Sequence, residues 1–354
     1  LAAFFILSFY GVIAGWTLEY LVSSILNRFA GKSATEISDF FTAFITNPIQ
    51  PIIWQIIFMV ITMFIVATGV EKGIEKYSKI MIPMLFLLVI ILDIRAITLP
   101  DGQGGLSFLF KPDFSKLTGR AVLDALGHSF FSLSLGMGIM ITYGSYINEK
   151  ERLGDIALKV SIADTLVAVL AGIAIFPVVF AFGIAPNSGP GLVFITLPNI
   201  FGQMPGGYIF SIMFFALLAL AALTSTISLL EVVVAYVIEK FNMERKKATI
   251  ISAVAITIVG MIASLSNGPL SNIQIFGNNI FDFLDFLTAN FFLTISALIS
   301  SIFIGWRLDR KIVEDQLSNK GTLQIKYLKL VSFLLKFISP VAILIVFLAG
   351  IGII

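Results

Sequence analysis

The sequence predicts an all-α integral membrane protein, and three observations carry that prediction. Hydrophobic residues fill 58% of the 354 positions and charged residues only 12%, for a mean hydropathy of +1.00. Nine apolar runs are long enough to cross a bilayer as helices, at roughly 2–26, 51–70, 77–99, 120–147, 156–183, 207–239, 247–265, 279–306 and 328–354. The connections between them alternate in charge. Those near 71–79, 148–159, 240–247 and 307–329 hold 16 Lys and Arg, whereas those near 27–50, 95–120, 184–206 and 266–278 hold 6. Basic connections stay cytoplasmic, so the first span is expected to run from inside to outside and the C-terminus to lie outside.

Composition also bounds the chemistry. A net charge of +2 gives no basic field for nucleic acid, and the absence of cysteine excludes disulfides and thiolate metal sites. One histidine, His128, builds no metal cluster, and no Ser-His-Asp or His-Glu-x-x-His spacing surrounds it. It reads as a packing residue more readily than as a ligand. Without a Gly-rich phosphate loop, an ATP-driven pump has no support. An intramembrane enzyme would need a paired nucleophile and base, and none is legible. The absence of an Asn-x-Ser/Thr sequon points away from a glycosylated eukaryotic surface protein. The chain starts at Leu1, inside an apolar segment without a charged leader, and is read as a fragment lacking its true N-terminus.

Taken in order, the spans differ in their interiors. The first, 2–26, is apolar and carries Tyr10. The third begins GIEKYSKIMIP, with Gly73 and then Pro83 about two turns inside. Proline removes a backbone donor, so this is either a simple kink or a helix end that unwinds. The stretch 100–120 is too short and polar to span. The apolar core of 184–206 is also too short and reads as a re-entrant or capping hairpin on the outer face. Neither resembles a linker, so residues 1–354 form one transmembrane domain.

The fourth span holds HSFFSLSLGMGIMITYGSY, in which Ser132, Ser134, Gly136 and Gly138 fall on alternate positions. Two readings fit. Ser134 and Gly138 form a small-xxx-small pair suited to close helix packing. Alternatively the helix breaks and frees carbonyls, which is tolerated only where backbone lines a cavity or is buried in protein.

Polar residues inside spans are functional candidates or structural pairs. Asp164 opens the fifth span, Glu231 lies in the sixth, and Asp282 and Asp285 lie in the eighth. Asp93 and Arg95 are close enough in sequence to pair with each other. The run from Ala221 through Thr224, Ser225 and Thr226 offers three successive hydroxyls. They either bond the carbonyl a turn back or present oxygen ligands to a hard cation.

With these residues in view, the chain resembles the neurotransmitter:sodium symporter family of the LeuT fold. The resemblance covers nearly the whole chain and is strongest in FFSLSLGMGIMITYGSY, GPGLVFITLP, AALTST, GIEKYSKIMIP and SFYGVIAGWTLEYL. It implies an inverted-repeat transporter in which the nine spans match the family's helices three to eleven, the first two being absent. Residues 1–99 would be the remainder of the first repeat, 119–306 the second repeat, and 326–354 an additional helix.

The resemblance implies sodium-coupled import of an amino acid by alternating access, with sodium ions, an amino acid and the lipid bilayer as partners. Tyr10 matches the tyrosine that binds the substrate carboxylate, with Ile6 and Ile13 facing the pocket. Phe131, Ser132, Ser134 and Met137 match the unwound pocket positions, and Ser225 and Leu229 the far wall. Ser132 and Asp164 match the first sodium site, where the family commonly has asparagine rather than Asp164. Ala221, through its carbonyl, with Thr224 and Ser225, matches the second. Both sites are expected to be incomplete without the missing first helix, so the chain taken alone should not transport. Asp285 matches the outer-gate acid, and Gly73 and Pro83 a helix end that admits cytoplasmic water. A carboxylate at Asp164 implies chloride-independent transport, and Met137 implies a wide pocket for large apolar or aromatic side chains. A proton-coupled permease of the same fold and a non-transporting channel or scaffold are the alternatives.

Overall fold

The computed structural model describes residues 1–100, 102–147, 151–183, 189–318 and 328–353. Parts of the connections expected at 148–159, 184–206 and 307–329, and the start of the additional helix at 326, lie outside the described residues. Among the described residues, eight helices are long and apolar enough to cross a membrane. The helices are α1 (Ala2–Ile25), α2 (Ala34–Thr46), α3 (Gln50–Ala67), α4 (Val70–Ile97), α5 (Gln103–Phe110), α6 (Gly119–Ser132), α7 (Ile139–Gly144), α8 (Leu153–Ala181), α9 (Leu192–Gln203), α10 (Gly207–Phe241), α11 (Arg245–Leu265), α12 (Ile280–Arg307), α13 (Arg310–Leu317) and α14 (Lys329–Gly350). A two-stranded hairpin pairs Gln274 with Asn279 before α12. The expected span missing from these eight is the fourth, 120–147, which does not run through: it divides into α6 and α7.

Contacts group the chain into two compact units, described in turn. The larger comprises Phe4–Pro112 and Val167–Leu284. In it α10 lies against α3, α4 and α11, and α9 against α2 and α10. Its core is aromatic. The Tyr20 ring lies 5.0 Å from Phe194 and 5.2 Å from Phe215, and Phe41 stacks on Phe194 at 5.5 Å. Edge-to-face and offset pairs of this kind contribute about 0.5–1.5 kcal/mol each beyond the area they bury.

Helix α2 occupies a connection in which the sequence reading placed no element. Its start is fixed locally. The Ser33 backbone N–H donates to Glu36 Oε2 at 2.8 Å, and the Glu36 N–H donates back to Ser33 Oγ at 3.3 Å, a reciprocal cap. These bonds from Ser33 hold the Glu36 carboxyl below the usual carboxylate range. Ile37, Phe41 and Phe44 then fall on one face and are buried.

Helix α4 begins seven residues before the expected span, through a wide π turn over Val70–Glu75. Gly73 sits in that turn, where an added Cβ would lie 2.2 Å from the Ile65 carbonyl oxygen. Only glycine permits so close an approach to the end of α3. The helix continues through Pro83 without interruption.

The smaller unit comprises Leu1–Ala3, Asp113–Leu166 and Asp285–Ile354. Here α14 packs on α12 and α6. Ser301 Oγ donates to the Leu335 carbonyl at 3.0 Å, and the Phe291 and Phe347 rings meet edge to face at 5.7 Å. Asp113 precedes α6, and hydrogen bonds from the Ser115 side chain and backbone hold its carboxyl below the usual range.

Candidate functional site

In the smaller unit, α6 is closed rather than continued. The Ser134 N–H donates to the Phe131 carbonyl at 3.0 Å and the Leu135 N–H to the Phe130 carbonyl at 2.8 Å. This crossed pair is the Schellman helix stop, which requires a left-handed residue just past the cap. That residue is usually glycine; here it is Ser134, with φ 57°. Gly136 (φ 79°) and Gly138 (φ 87°) repeat the left-handed turn at alternate positions. At Gly136 a Cβ would also lie 2.2 Å from the Leu293 carbonyl oxygen on α12. The serine and glycine alternation therefore breaks the helix, and small residues serve close packing at the same point. The closure uses the Phe130 and Phe131 carbonyls and leaves those of Ser132 and Leu133 to other partners.

Ser132, the last residue of α6, meets Asp164 on α8. Its Oγ lies 2.6 Å from each carboxylate oxygen, so one hydroxyl proton is shared between both. The two residues expected at one ion site are thus brought together, and both are partly buried. Phe131 and Ser134 flank them, also partly buried, and Met137 is buried. His128 is exposed on α6. Asp285 is exposed on α12, and its carbonyl accepts the Thr288 hydroxyl at 3.0 Å.

In the larger unit, Ile6, Tyr10 and Ile13 follow the i, i+4, i+7 spacing that places them on one face of α1. The Tyr10 side chain lies beside the Ser225 side chain on α10. Tyr10 and Leu223 pack against the cluster of Ala14, Phe58 and Ala222 where α1, α3 and α10 meet. Thr224 Oγ1 donates to the Ala221 carbonyl at 2.8 Å, and Thr226 Oγ1 lies 2.9 Å from Thr62 Oγ1 and donates to the Leu223 carbonyl. Thr226 is therefore a packing residue. Thr224 and the Ala221 carbonyl bring two oxygens together, with the exposed Ser225 beside them. Leu229 is buried two turns on from Ala222.

The donor sets are hydroxyls, a carbonyl and one carboxylate. Hard oxygen ligands suit alkali and alkaline-earth cations rather than thiophilic metals. Among the described residues no three His, Cys, Asp or Glu side chains gather as a metal site.

The other intramembrane charges sort themselves. Glu231 on α10 pairs with Arg245 on α11, whose Nη1 lies 3.1 Å from Glu231 Oε1 and whose Nε donates to the Val66 carbonyl at 3.0 Å. That is a structural tie between α3, α10 and α11. The expected pairing of Asp93 with Arg95 is not made. Residues two apart on a helix point away from each other. Arg95 instead reaches the Pro205 carbonyl at 3.4 Å and the Phe210 ring, while Asp93 is buried with Oδ1 unpartnered.

Comparison with known proteins agrees with this architecture. A family model described as "Sodium:neurotransmitter symporter family" matches residues 44–353. The uncharacterized sodium-dependent transporter YhdH of Bacillus subtilis is 40% identical over 99% of this chain and 78% of its own length. An uncharacterized sodium-dependent transporter of Haemophilus influenzae is 37% identical over 99% of this chain and 77% of its own. The crystal structure of MhsT in complex with L-phenylalanine superposes at a TM-score of 0.88 with 48% identity, over 99% of this chain and 79% of that one. A multi-pass, all-α protein that breaks one span at a hydroxyl–carboxylate pair and matches these relatives over nearly its whole length belongs to the sodium:neurotransmitter symporter family, whose members are sodium-coupled transporters and not enzymes.

Proposed function

We propose that this transporter imports an α-amino acid with a large apolar or aromatic side chain, driven by sodium, by alternating access across a bacterial plasma membrane. The observation that carries the reading is the break over residues 133–138 beside the Ser132–Asp164 pair. It combines freed carbonyls with a carboxylate inside a span, a pattern suited to a cation and a polar substrate at mid-depth. Ser132 and Asp164 are assigned to a first sodium site, and the Ala221 carbonyl, Thr224 and Ser225 to a second. Tyr10 is assigned to the substrate carboxylate, with Ser132, Ser134 and Ser225 as polar contacts. Ile6, Ile13, Phe131, Met137 and Leu229 supply apolar walls, and Met137 adapts to different shapes. Support for a large substrate comes from these walls and from the L-phenylalanine bound to the 48% identical MhsT. Asp285 is assigned to the outer gate, and Gly73 with Pro83 to a cytoplasmic helix end that opens for sodium release. In this reading 1–99 and 119–306 belong to two inverted repeats, 326–354 is an additional helix, and the C-terminus lies outside.

The test is uptake by the full-length protein in proteoliposomes under an inward sodium gradient, competed by each of the twenty amino acids. Leucine, phenylalanine, tyrosine or tryptophan should compete best, because each buried methylene contributes about 0.8 kcal/mol. Uptake should vanish when choline replaces sodium. Stronger competition by glycine, proline or glutamate than by every aromatic and branched-chain amino acid overturns the substrate assignment. Uptake that persists in choline with a proton gradient overturns the sodium coupling.

A further inference from the structure

The smaller unit holds a cleft of about 400 Å³ between the end of α12, the start of α13 and the start of α14. That volume lies within the ~300–1,000 Å³ of small-ligand pockets. Among the described residues its lining includes three basic side chains, Arg310, Lys329 and Lys336, and no acidic one. Three aromatic residues, Trp306, Phe333 and Phe337, complete it, each about half exposed.

Lys336 is the informative residue. It lies within the apolar helix α14, where an ammonium is unfavourable unless it reaches the interface or finds a counter-charge. The fold holds it in place. Trp306 Nε1 donates to the Lys336 carbonyl at 2.9 Å, and the Lys336 ammonium sits 4.8 Å over the Trp306 ring. Among the described residues, none of the three cations has a carboxylate within ion-pair distance. A fixed cation over an aromatic face, two further cations at the mouth and apolar rings on the same wall describe an amphipathic ligand, with an anionic head and a hydrocarbon body.

We propose that this cleft binds the headgroup phosphate of an anionic phospholipid. Lys336 and Arg310 meet the phosphate, Lys329 faces the surface, and Phe333 and Phe337 lie along the first acyl carbons. Half-exposed aromatic rings at the ends of spans are characteristic of headgroup depth. Basic pockets between membrane helices bind acidic lipid headgroups by the same physics. The aromatic wall favours a lipid over free phosphate, which would leave those rings without a partner.

The full-length protein, stripped of native lipid in detergent, is titrated with dioleoylphosphatidylglycerol or dioleoylphosphatidylcholine, and bound lipid is counted by native mass spectrometry. Phosphatidylglycerol should bind at least tenfold more tightly. Each basic residue near a membrane surface contributes about fivefold in affinity. Lys336→Gln and Arg310→Gln should therefore each lower binding by about that factor, whereas Lys336→Arg should retain it. Arg310 lies outside the spans, so its variant remains informative should Lys336→Gln fail to fold. Equal retention of the two lipids, or unchanged binding by both glutamine variants, overturns the proposal. Displacement of phosphatidylglycerol by millimolar inorganic phosphate would show a site for a soluble anion and overturn the lipid assignment.

Discussion

At the scale of single residues, the Ser132–Asp164 contact sets the electrostatics of the candidate first sodium site. A carboxylate there supplies negative charge that a neutral amide at the same position does not. Uptake by the wild type should therefore be unchanged when chloride is replaced by gluconate. Asp164→Asn should either weaken sodium dependence by tenfold or more, or make uptake require chloride; an uptake assay in both salts separates these outcomes. Thr224→Val removes the oxygen that lies 2.8 Å from the Ala221 carbonyl while keeping side-chain volume. It should abolish sodium stimulation of uptake without changing expression or the unfolding temperature in the absence of sodium. The hydroxyl run shows where residue-level reading succeeds and where it stops. Three successive hydroxyls were legible as an oxygen-rich turn, but only the fold shows that the Thr226 hydroxyl is taken up between the Leu223 carbonyl and Thr62. Asp93 and Arg95 went wrong in sequence for a related reason: nearness along a helix is not nearness in space.

At the scale of elements, the break between α6 and α7 was legible because its cause is local. Serine and glycine at alternate positions are what three left-handed residues in seven require, and the spacing stands in the sequence. Gly136→Ala should be severely destabilising. It adds about 1–2 kcal/mol for an L-residue in the left-handed region and about 1–3 kcal/mol for overpacking against the Leu293 carbonyl. A drop in the unfolding midpoint of the detergent-solubilised protein checks this. Pro83 works in the opposite sense. Helix α4 runs through it although proline disfavours helix interiors by about 3 kcal/mol, so Pro83→Ala should stiffen the helix. Sodium release and turnover should slow, with substrate binding nearly unchanged; equal turnover in a counterflow assay leaves proline a passive kink. Helix α2 was equally local and still escaped the reading. The Ser33-x-x-Glu36 signature stands at its start, but hydropathy marks membrane spans and not a thirteen-residue amphipathic helix between two of them.

At the scale of the whole molecule, spans and their number follow from hydropathy, whereas the ties between spans do not. Glu231 and Arg245 lie fourteen residues apart across a helical turn, and nothing in the sequence distinguishes their partnership from a solvated charge. The pair joins α10 to α11, and the Arg245 bond to Val66 adds α3. Arg245→Met withdraws the guanidinium from a fully buried carboxylate and should destabilise by about 3–5 kcal/mol, as removal of one partner from a buried pair does. Glu231→Leu combined with Arg245→Met should recover much of that loss, and thermal unfolding of the single and double variants measures the difference.

The placement of the three tryptophans has an optical consequence. Trp16 is 3% exposed and sealed among Phe41, Phe194 and Phe281, Trp54 is half-buried, and Trp306 is 56% exposed beneath a lysine ammonium. The unlabelled protein thus carries fluorophores in three distinct surroundings. Emission from Trp16 should be blue and deaf to quenchers. That from Trp306 should dim when the acyl chains beside it carry bromine, so fluorescence alone can distinguish events in the aromatic core from events at the bilayer.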